Sequence, residues 1–465
     1  MTGMQERVAL AMREISRSRW NALASYCKNP AAAFLLNELA WFESDDGRAL
    51  ATLVIDADRE FHGLILARDG ADRFRAMAIA GPFESPRLAV IGLNSKLLEL
   101  LPNLDELRIQ GDEVGEVIDL FAPLVPDWKL HPSFRRLASG DDFSAAREII
   151  GSMMRWYEDT DGNFVEQFQT KGFDARLWEL YLFAALTEAG LHVSRPNPAP
   201  DMLVRGVRSE FALEATTINP SRSPDGLPLT PPIPRNDNDI EAYVQHYLPI
   251  RYAGPLTAKL AKEYWNRPAA VGKPLVLAIQ DFHAPLSMSY SFPALPIYLY
   301  GLIHQPRRDG FGRLIVEAVP ITEHRWGNKV VQSGFFHLLE TENISAVIFN
   351  NAGTLHKFNR MGVGAGFGTD NITLVRRGTA WDPDPDSSVP IPFEYEVTEN
   401  SPETWVEGMD VFHNPNALHP LDPDLLPGAA HHRLLPNKQI VTTSRGWKPM
   451  ESCTEILQCP RASHP

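Results

Sequence analysis

Apolar and polar positions along the first ~130 residues follow helical spacing and then a two-residue alternation. Residues 5–26 carry apolar side chains at helical intervals, and ELAWFESDDGRALATLVIDADREFHGLILARDGADRFRAMAIAG (38–81) alternates. The alternation breaks at Asp46-Gly47 and Asp69-Gly70. Asp-Gly between alternating segments marks a hairpin, because Gly takes the positive φ that a tight turn needs, so an antiparallel sheet of about four strands is predicted. From Phe143 the period lengthens: 144–157 and 174–189 predict helices, the second closed by Gly190. Residues 191–194, 201–205 and 210–217 predict strands, the last two joined by a tight turn at Gly206. A loop rich in Pro, Asn and Asp spans 219–238, helical spacing resumes up to Trp265, and KPLVLAIQDF (273–282) reads as a strand buried on both faces. Beyond Asn351 the chain is richer in Gly, Pro, His and Asn; only 393–397 predicts a strand, with a loop at 383–392 and fraying past Trp447.

These patterns divide the chain into an N-terminal helix plus antiparallel β-meander domain (1–135), an α/β core domain (136–350) and an irregular C-terminal extension packed on the core (351–465). The 44% apolar and 22% charged content excludes general disorder. A formal charge of −14 argues against wholesale coating of nucleic acid, yet residues 251–329 hold ten Lys/Arg (Arg251, Lys259, Lys262, Arg267, Lys273, Arg307, Arg308, Arg313, Arg325, Lys329) against five acids, a local surplus of five. The acids Asp45, Asp46, Asp56, Asp58, Glu60, Asp69 and Asp72 predict a solvated face on the N-terminal domain, suited to an accessory role or to a protein partner. Three scattered cysteines, Cys27, Cys453 and Cys459, form neither a disulfide framework nor a zinc knuckle. Charges at Glu6, Arg7, Arg13, Glu14, Arg17 and Arg19 interrupt any secretion-signal core, and no apolar run nears the ~20 residues of a membrane helix. The expected location is cytoplasmic, away from membranes.

The candidate chemistry lies at 173–217. Glu179 stands among Trp178, Leu180, Tyr181, Leu182 and Phe183 on a predicted helix, Asp201 heads one predicted strand, and Glu214 lies inside the next. Three acids converging on one end of a small sheet suit a hard cation such as Mg²⁺ or Mn²⁺, which takes oxygen ligands and assists phosphodiester hydrolysis. Each acid also has a plain structural reading. Glu179 would pair with Arg176 or face solvent, Asp201 would form a turn after Asn197-Pro198-Ala199-Pro200, and Glu214 would share a solvent-open face with Ala212 and Thr216. Other signals are weaker. His413, His419, His431 and His432 with Asp422 and Asp424 have no zinc-site spacing, and His413-Asn414-Pro415 reads as a turn in a connector. The glycine run 361–370 lacks a P-loop's G-K-[ST] and reads as a flexible loop, and no G-x-S-x-G is present.

The element order helix, three strands, helix, strand, with Glu179 on the helix, Pro200-Asp201 at the second strand and Glu214-Ala215 on the third, resembles the PD-(D/E)XK superfamily of restriction-endonuclease-like nucleases. The resemblance covers about 174–282. It implies a restriction-endonuclease-like αβββαβ core cutting nucleic acid, DNA foremost, in restriction, repair or defence. Asp201 and Glu214 would be metal ligands together with the carbonyl of Ala215, and Glu179 would orient the attacking water. Thr216 stands where the family has Lys, and it can donate one hydrogen bond but carries no charge. Relatives move this Lys to the next helix, where LTAKLAKEYW offers Lys259 and Lys262, three apart on one predicted helical face. Gln280 occupies a position where some relatives add a site residue. The alternative is a catalytically silent member that serves as a binding or scaffold protein.

Overall fold

The computed structural model describes residues 11–458, apart from 113–118, 161, 198, 224, 226, 228, 285–286, 385 and 388. Strands β1 (Met12–Glu14), β2 (Leu36–Ser44), β3 (Ala49–Asp56), β4 (Phe61–Arg68) and β5 (Phe74–Phe83) form an antiparallel sheet in chain order. Gly47 takes φ +68° at the first predicted hairpin, whereas at the Asp69-Gly70 turn it is Asp72 that adopts φ +63°. The Pro86–Leu100 helix buries Ala89, Leu93 and Leu97 against Ala51, Leu53 and Ile65 of this sheet. The helix expected over 5–26 is shorter, Arg17–Ala24, with Ser16 accepting from the Arg19 amide at its start. Ahead of it Met12–Glu14 is drawn into the sheet edge by pairing with Phe42–Ser44, which overrides its helical spacing; residues 1–10 lie outside the described residues.

The central sheet begins with β6 (His192–Ser194), β7 (Met202–Arg205) and β8 (Glu210–Ile218), an antiparallel meander preceded by the Phe173–Glu188 helix. The Leu248–Leu260 helix then carries the chain over to β9 (Leu275–Asp281), which runs parallel to β8. All seven residues of β9 are buried, as their apolar run predicts. Two hairpins follow, β10 (Leu302–Arg308) with β11 (Leu314–Pro320) and β12 (Glu323–Trp326) with β13 (Lys329–Gln332), and then β14 (Ala346–Asn350) pairs parallel to β9.

The region after 351 departs from the irregular extension expected. It forms a helix, Leu355–Gly364, that absorbs the start of the glycine run, and six strands: β15 (Ile372–Ala380), β16 (Ile391–Glu396), β17 (Met409–His413), β18 (Ala430–Leu434), β19 (Ile440–Thr443) and β20 (Pro449–Gln458). Strands β17, β18 and β19 extend the central sheet to eight, in the order β19-β18-β17-β14-β9-β8-β7-β6, while β16-β15-β20 make a separate sheet. The predicted strand at 393–397 thus falls within β16 and just beyond it, but β20 is ordered where fraying was expected, because it pairs with β15 from Ile372 to Ala380. His413 is the last residue of a buried strand rather than part of a turn.

Each face of the central sheet is covered by one of the two helices that frame β6–β9. Leu213, Ala215, Val276 and Ala278 pack with Leu177, Trp178 and Tyr181 of the Phe173–Glu188 helix. Ala212, Ile218, Leu277 and Ile279 pack with Tyr252 and Leu256 of the Leu248–Leu260 helix. The face of β8 that carries Glu214 is therefore closed, not open to solvent.

Candidate functional site: an Asp201, Glu214 and Lys259 cluster

Antiparallel pairing sets the geometry. Met202 lies opposite Leu213, so Asp201, one residue earlier, falls opposite Glu214. The Asp201 amide donates to Oε2 of Glu214 at 3.0 Å, and the Ala215 amide donates to Oδ2 of Asp201 at 2.8 Å. Each carboxylate is thereby anchored to the other's strand. Glu214 is 3% exposed, and a buried carboxylate of this kind requires compensation. The other Glu214 oxygen, Oε1, receives the ammonium of Lys259 from the covering helix, and the Tyr264 hydroxyl also donates to Glu214. Burial, with the Glu214 and Glu179 charges adding to it, pushes the Asp201 carboxyl up to about 7, partly countered by Lys259 and the Ala215 amide.

The two lysines proposed for the next helix part company. The helix ends at Leu260, so Lys259 occupies its last turn while Lys262 lies exposed in the following turn. Thr216 is half-buried, two residues along β8 from Glu214 and in register with Ile279. Gln280 is fully buried in β9 and follows Val276 and Ala278 onto the face of the Phe173–Glu188 helix, the face opposite Lys259.

Glu179 is buried in that helix and held by cations. Arg176 donates to both its oxygens at 2.8 Å, Tyr157 donates to Oε2 at 2.8 Å, and Arg195 lies 3.7 Å from Oε2. Arg195 also donates through Nε to the Asp201 carbonyl at 3.1 Å. A bridge of one guanidinium thus connects the helix acid to the Pro-Asp turn. The ligand oxygens of Glu179, Asp201 and Glu214 do not gather within 4.8 Å; among the described residues only Asp56, Glu60 and His62 do so. That group belongs to the β3–β4 turn, where Asp56 Oδ1 accepts from the Asp58 and Glu60 amides at 3.0 and 2.9 Å.

Arg195, Tyr157 and Tyr264 escape sequence reasoning because none of them fills a position of the motif, although Tyr264 lies in LTAKLAKEYW beside the two lysines. A further polar cluster at the end of β9 escapes it as well. Asp281 accepts from Ser291 Oγ at 2.6 Å and contacts His283 Nδ1 at 2.7 Å, and His283 Nε2 meets the Tyr243 hydroxyl at 2.8 Å, all buried. The D-x-H spacing of Asp281 and His283 was the available signal. The expected basic region is largely engaged locally. Lys259, Lys273, Arg307 and Arg325 form ion pairs with acids, and Arg251 and Arg308 donate to hydroxyl or backbone oxygens. None of the helices is long and apolar enough to cross a membrane among the described residues. Comparison of the chain with protein-family models, curated proteins and solved structures gave no match.

Proposed function

We propose that the chain is a metal-dependent phosphodiesterase of the restriction-endonuclease-like type, acting on nucleic acid through Asp201, Glu214 and Lys259. The observation that carries this reading is the meeting of an acid pair on neighbouring strands with a lysine from the crossover helix, which supplies the cation that Thr216 does not. The αβββαβ order of Phe173–Glu188, β6, β7, β8, Leu248–Leu260 and β9 supports it.

The donor set fits a hard cation: two carboxylates from adjacent strands, one of them held near neutral pH in its ionisation, which a cation would stabilise in its charged form. Asp201 and Glu214 would hold Mg²⁺ or Mn²⁺, with the Ala215 carbonyl as a further donor. The ion would supply Lewis acidity and charge neutralisation at the phosphate. The chain's own groups do the rest. Lys259 places a positive charge beside Glu214, where negative charge on a phosphate would develop, and a fixed charge in a closed site is effective because it needs no reorganisation. Arg195 holds the Asp201 backbone in place through its carbonyl and is itself held by Glu179, so Glu179 positions the ligand strand rather than contributing an oxygen.

A second reading, a silent binding or scaffold protein, is favoured by one observation. The Glu214 charge is already countered by Lys259, and Tyr264 adds a hydrogen bond, so Glu214 is satisfied internally without an ion. Calorimetric titration with Mn²⁺ and a cleavage assay on single- and double-stranded DNA and RNA decide between them. Metal binding lost in Asp201→Asn together with cleavage by the wild type supports the enzyme; no metal binding and no cleavage support the scaffold.

A further inference from the structure

A cavity of about 1090 Å³ opens beside the C-terminal ends of β17 and β18 and is lined by none of Glu179, Asp201 and Glu214. Strand β17 is three places from β8 in the sheet, ~14 Å at the usual strand spacing, so this is a separate site.

His413 lines the cavity while 9% exposed, and its hydrogen bonds fix its tautomer. The Leu426 carbonyl can only accept, so the His431 Nε2 at 2.9 Å from it carries the proton. Burial holds the His431 imidazole below its ordinary range, hence neutral, which leaves its Nδ1 as an acceptor for His413 Nε2 at 2.9 Å. Burial likewise keeps His413 neutral, so its own Nδ1 is a bare lone pair; among the described residues this atom makes no hydrogen bond. The backbone that places it is pinned, since Asn414 Nδ2 donates to the Thr341 and Ile344 carbonyls at 2.8 Å each.

The cavity's charged side chains are unequal. Arg433 and Lys438 are exposed and form no ion pair among the described residues; the acid Asp422, also exposed, accepts the Asp424 amide at 3.0 Å through Oδ1, so these three side chains leave the cavity a surplus of one positive charge. Leu302 and Ile321 contribute apolar wall between them. Two available cations, an apolar wall and one buried acceptor describe a ligand with matching parts.

We propose that this cavity binds a small organic anion, its carboxylate or phosphate at Arg433 and Lys438, its apolar body against the wall and a hydroxyl or N–H on His413 Nδ1. The proposal does not depend on the phosphodiesterase reading. It is tested by calorimetry of the full chain with 2-naphthyl phosphate, 2-naphthoate, 6-hydroxy-2-naphthoate and 2-naphthol. One of the first two should bind at least ~10-fold more tightly than 2-naphthol, and which one does so identifies the anionic group. The surface variant Arg433→Ala/Lys438→Ala, which leaves the core untouched, should remove that preference. The hydroxyl of 6-hydroxy-2-naphthoate should tighten binding relative to 2-naphthoate, and His413→Phe should abolish the difference. Absence of binding by every anionic probe, equal binding of 2-naphthol, or an unchanged preference in the double variant would overturn the proposal; a hydroxyl effect that persists in His413→Phe would overturn the role of His413.

Discussion

Lys259 and Glu214 form an ion pair between the last turn of a helix and the middle of a strand 45 residues earlier. Glu214 is nearly inaccessible, whereas the Lys259 side chain keeps 24% of its exposure, so the lysine head can still face a ligand entering from solvent. Replacing Lys259 with Met leaves the Glu214 charge without its strongest partner. Stability should fall by about 1–3 kcal/mol, less than for a fully buried pair because one partner is partly solvated. Mn²⁺ affinity should be retained or increased, since a competing cation is gone. Cleavage should drop ~10²-fold or more, the scale of losing one electrostatic stabiliser of a transition state. Lys262→Met is the control, and because Lys262 is exposed beyond the helix its rate should match the wild type. Single-turnover cleavage beside chemical denaturation measures both effects, and equal rates in the wild type and Lys259→Met would remove Lys259 from the mechanism.

Asp201 gives a pH dependence with a defined sign. Its folded-state value, about 7, lies above the ordinary 3.8, so the native state holds a proton that the unfolded chain has released. Between about pH 4 and 7 the folded protein therefore binds more protons, and this contribution to stability declines as pH rises through that window. Asp201→Asn keeps an oxygen for the Ala215 amide and removes the charge. Denaturation should show it more stable than the wild type at pH 8, by roughly 1–3 kcal/mol, with the gap closing by pH 5. Saturating Mn²⁺ should narrow the gap at pH 8 by stabilising the wild type alone. A gap independent of pH would show that Asp201 titrates normally.

The parts of this arrangement that could be read in the sequence are those set by local pattern. FDARLWELYLFAALTE and LVLAIQD became a helix and a buried strand because a nearly unbroken apolar run leaves few other places to go, and the acids at 201 and 214 fell opposite one another because Gly206 closes the turn between their strands. What was not legible depends on partners distant in the chain. MDVFH and AHHRL look like polar connectors, yet they are interior strands because Asp410 receives His432 Nε2 at 2.7 Å and the Lys448 ammonium at 2.5 Å, which come from 22 and 38 residues away. The same holds for Glu179: its apolar neighbours indicated burial, but not that Arg195, sixteen residues later and across a turn, would meet it.

That contact makes a separate prediction. Glu179→Gln removes a buried negative charge from between Arg176 and Arg195, with an expected stability loss of about 1–3 kcal/mol. If Glu179 acts by positioning the Asp201 backbone through Arg195, the variant should bind Mn²⁺ with a changed affinity of no more than a few-fold, while its cleavage rate falls. Arg195→Lys should behave alike, since one ammonium cannot bridge the Asp201 carbonyl and the Glu179 carboxylate as a guanidinium does. Complete loss of metal binding in a folded Glu179→Gln protein would instead make Glu179 a direct ligand.

Thr216 offers the test of whether the site needs an ammonium or needs Lys259 in particular. Thr216 is on the Glu214 face of β8, half-buried, under the helix whose last turn carries Lys259. With Lys259 present, Thr216→Lys brings a second ammonium toward an acid already paired, so the like charges repel and activity should not rise. With Lys259→Met the same substitution meets an unpaired Glu214 and a space vacated by the ammonium. The double variant Thr216→Lys/Lys259→Met should therefore recover at least ~10-fold of the activity lost in Lys259→Met, and recover part of its stability, a coupling that a double-mutant cycle on cleavage rate and denaturation midpoint measures directly. Independent, additive effects at the two positions would mean that their side chains do not serve one place in the site.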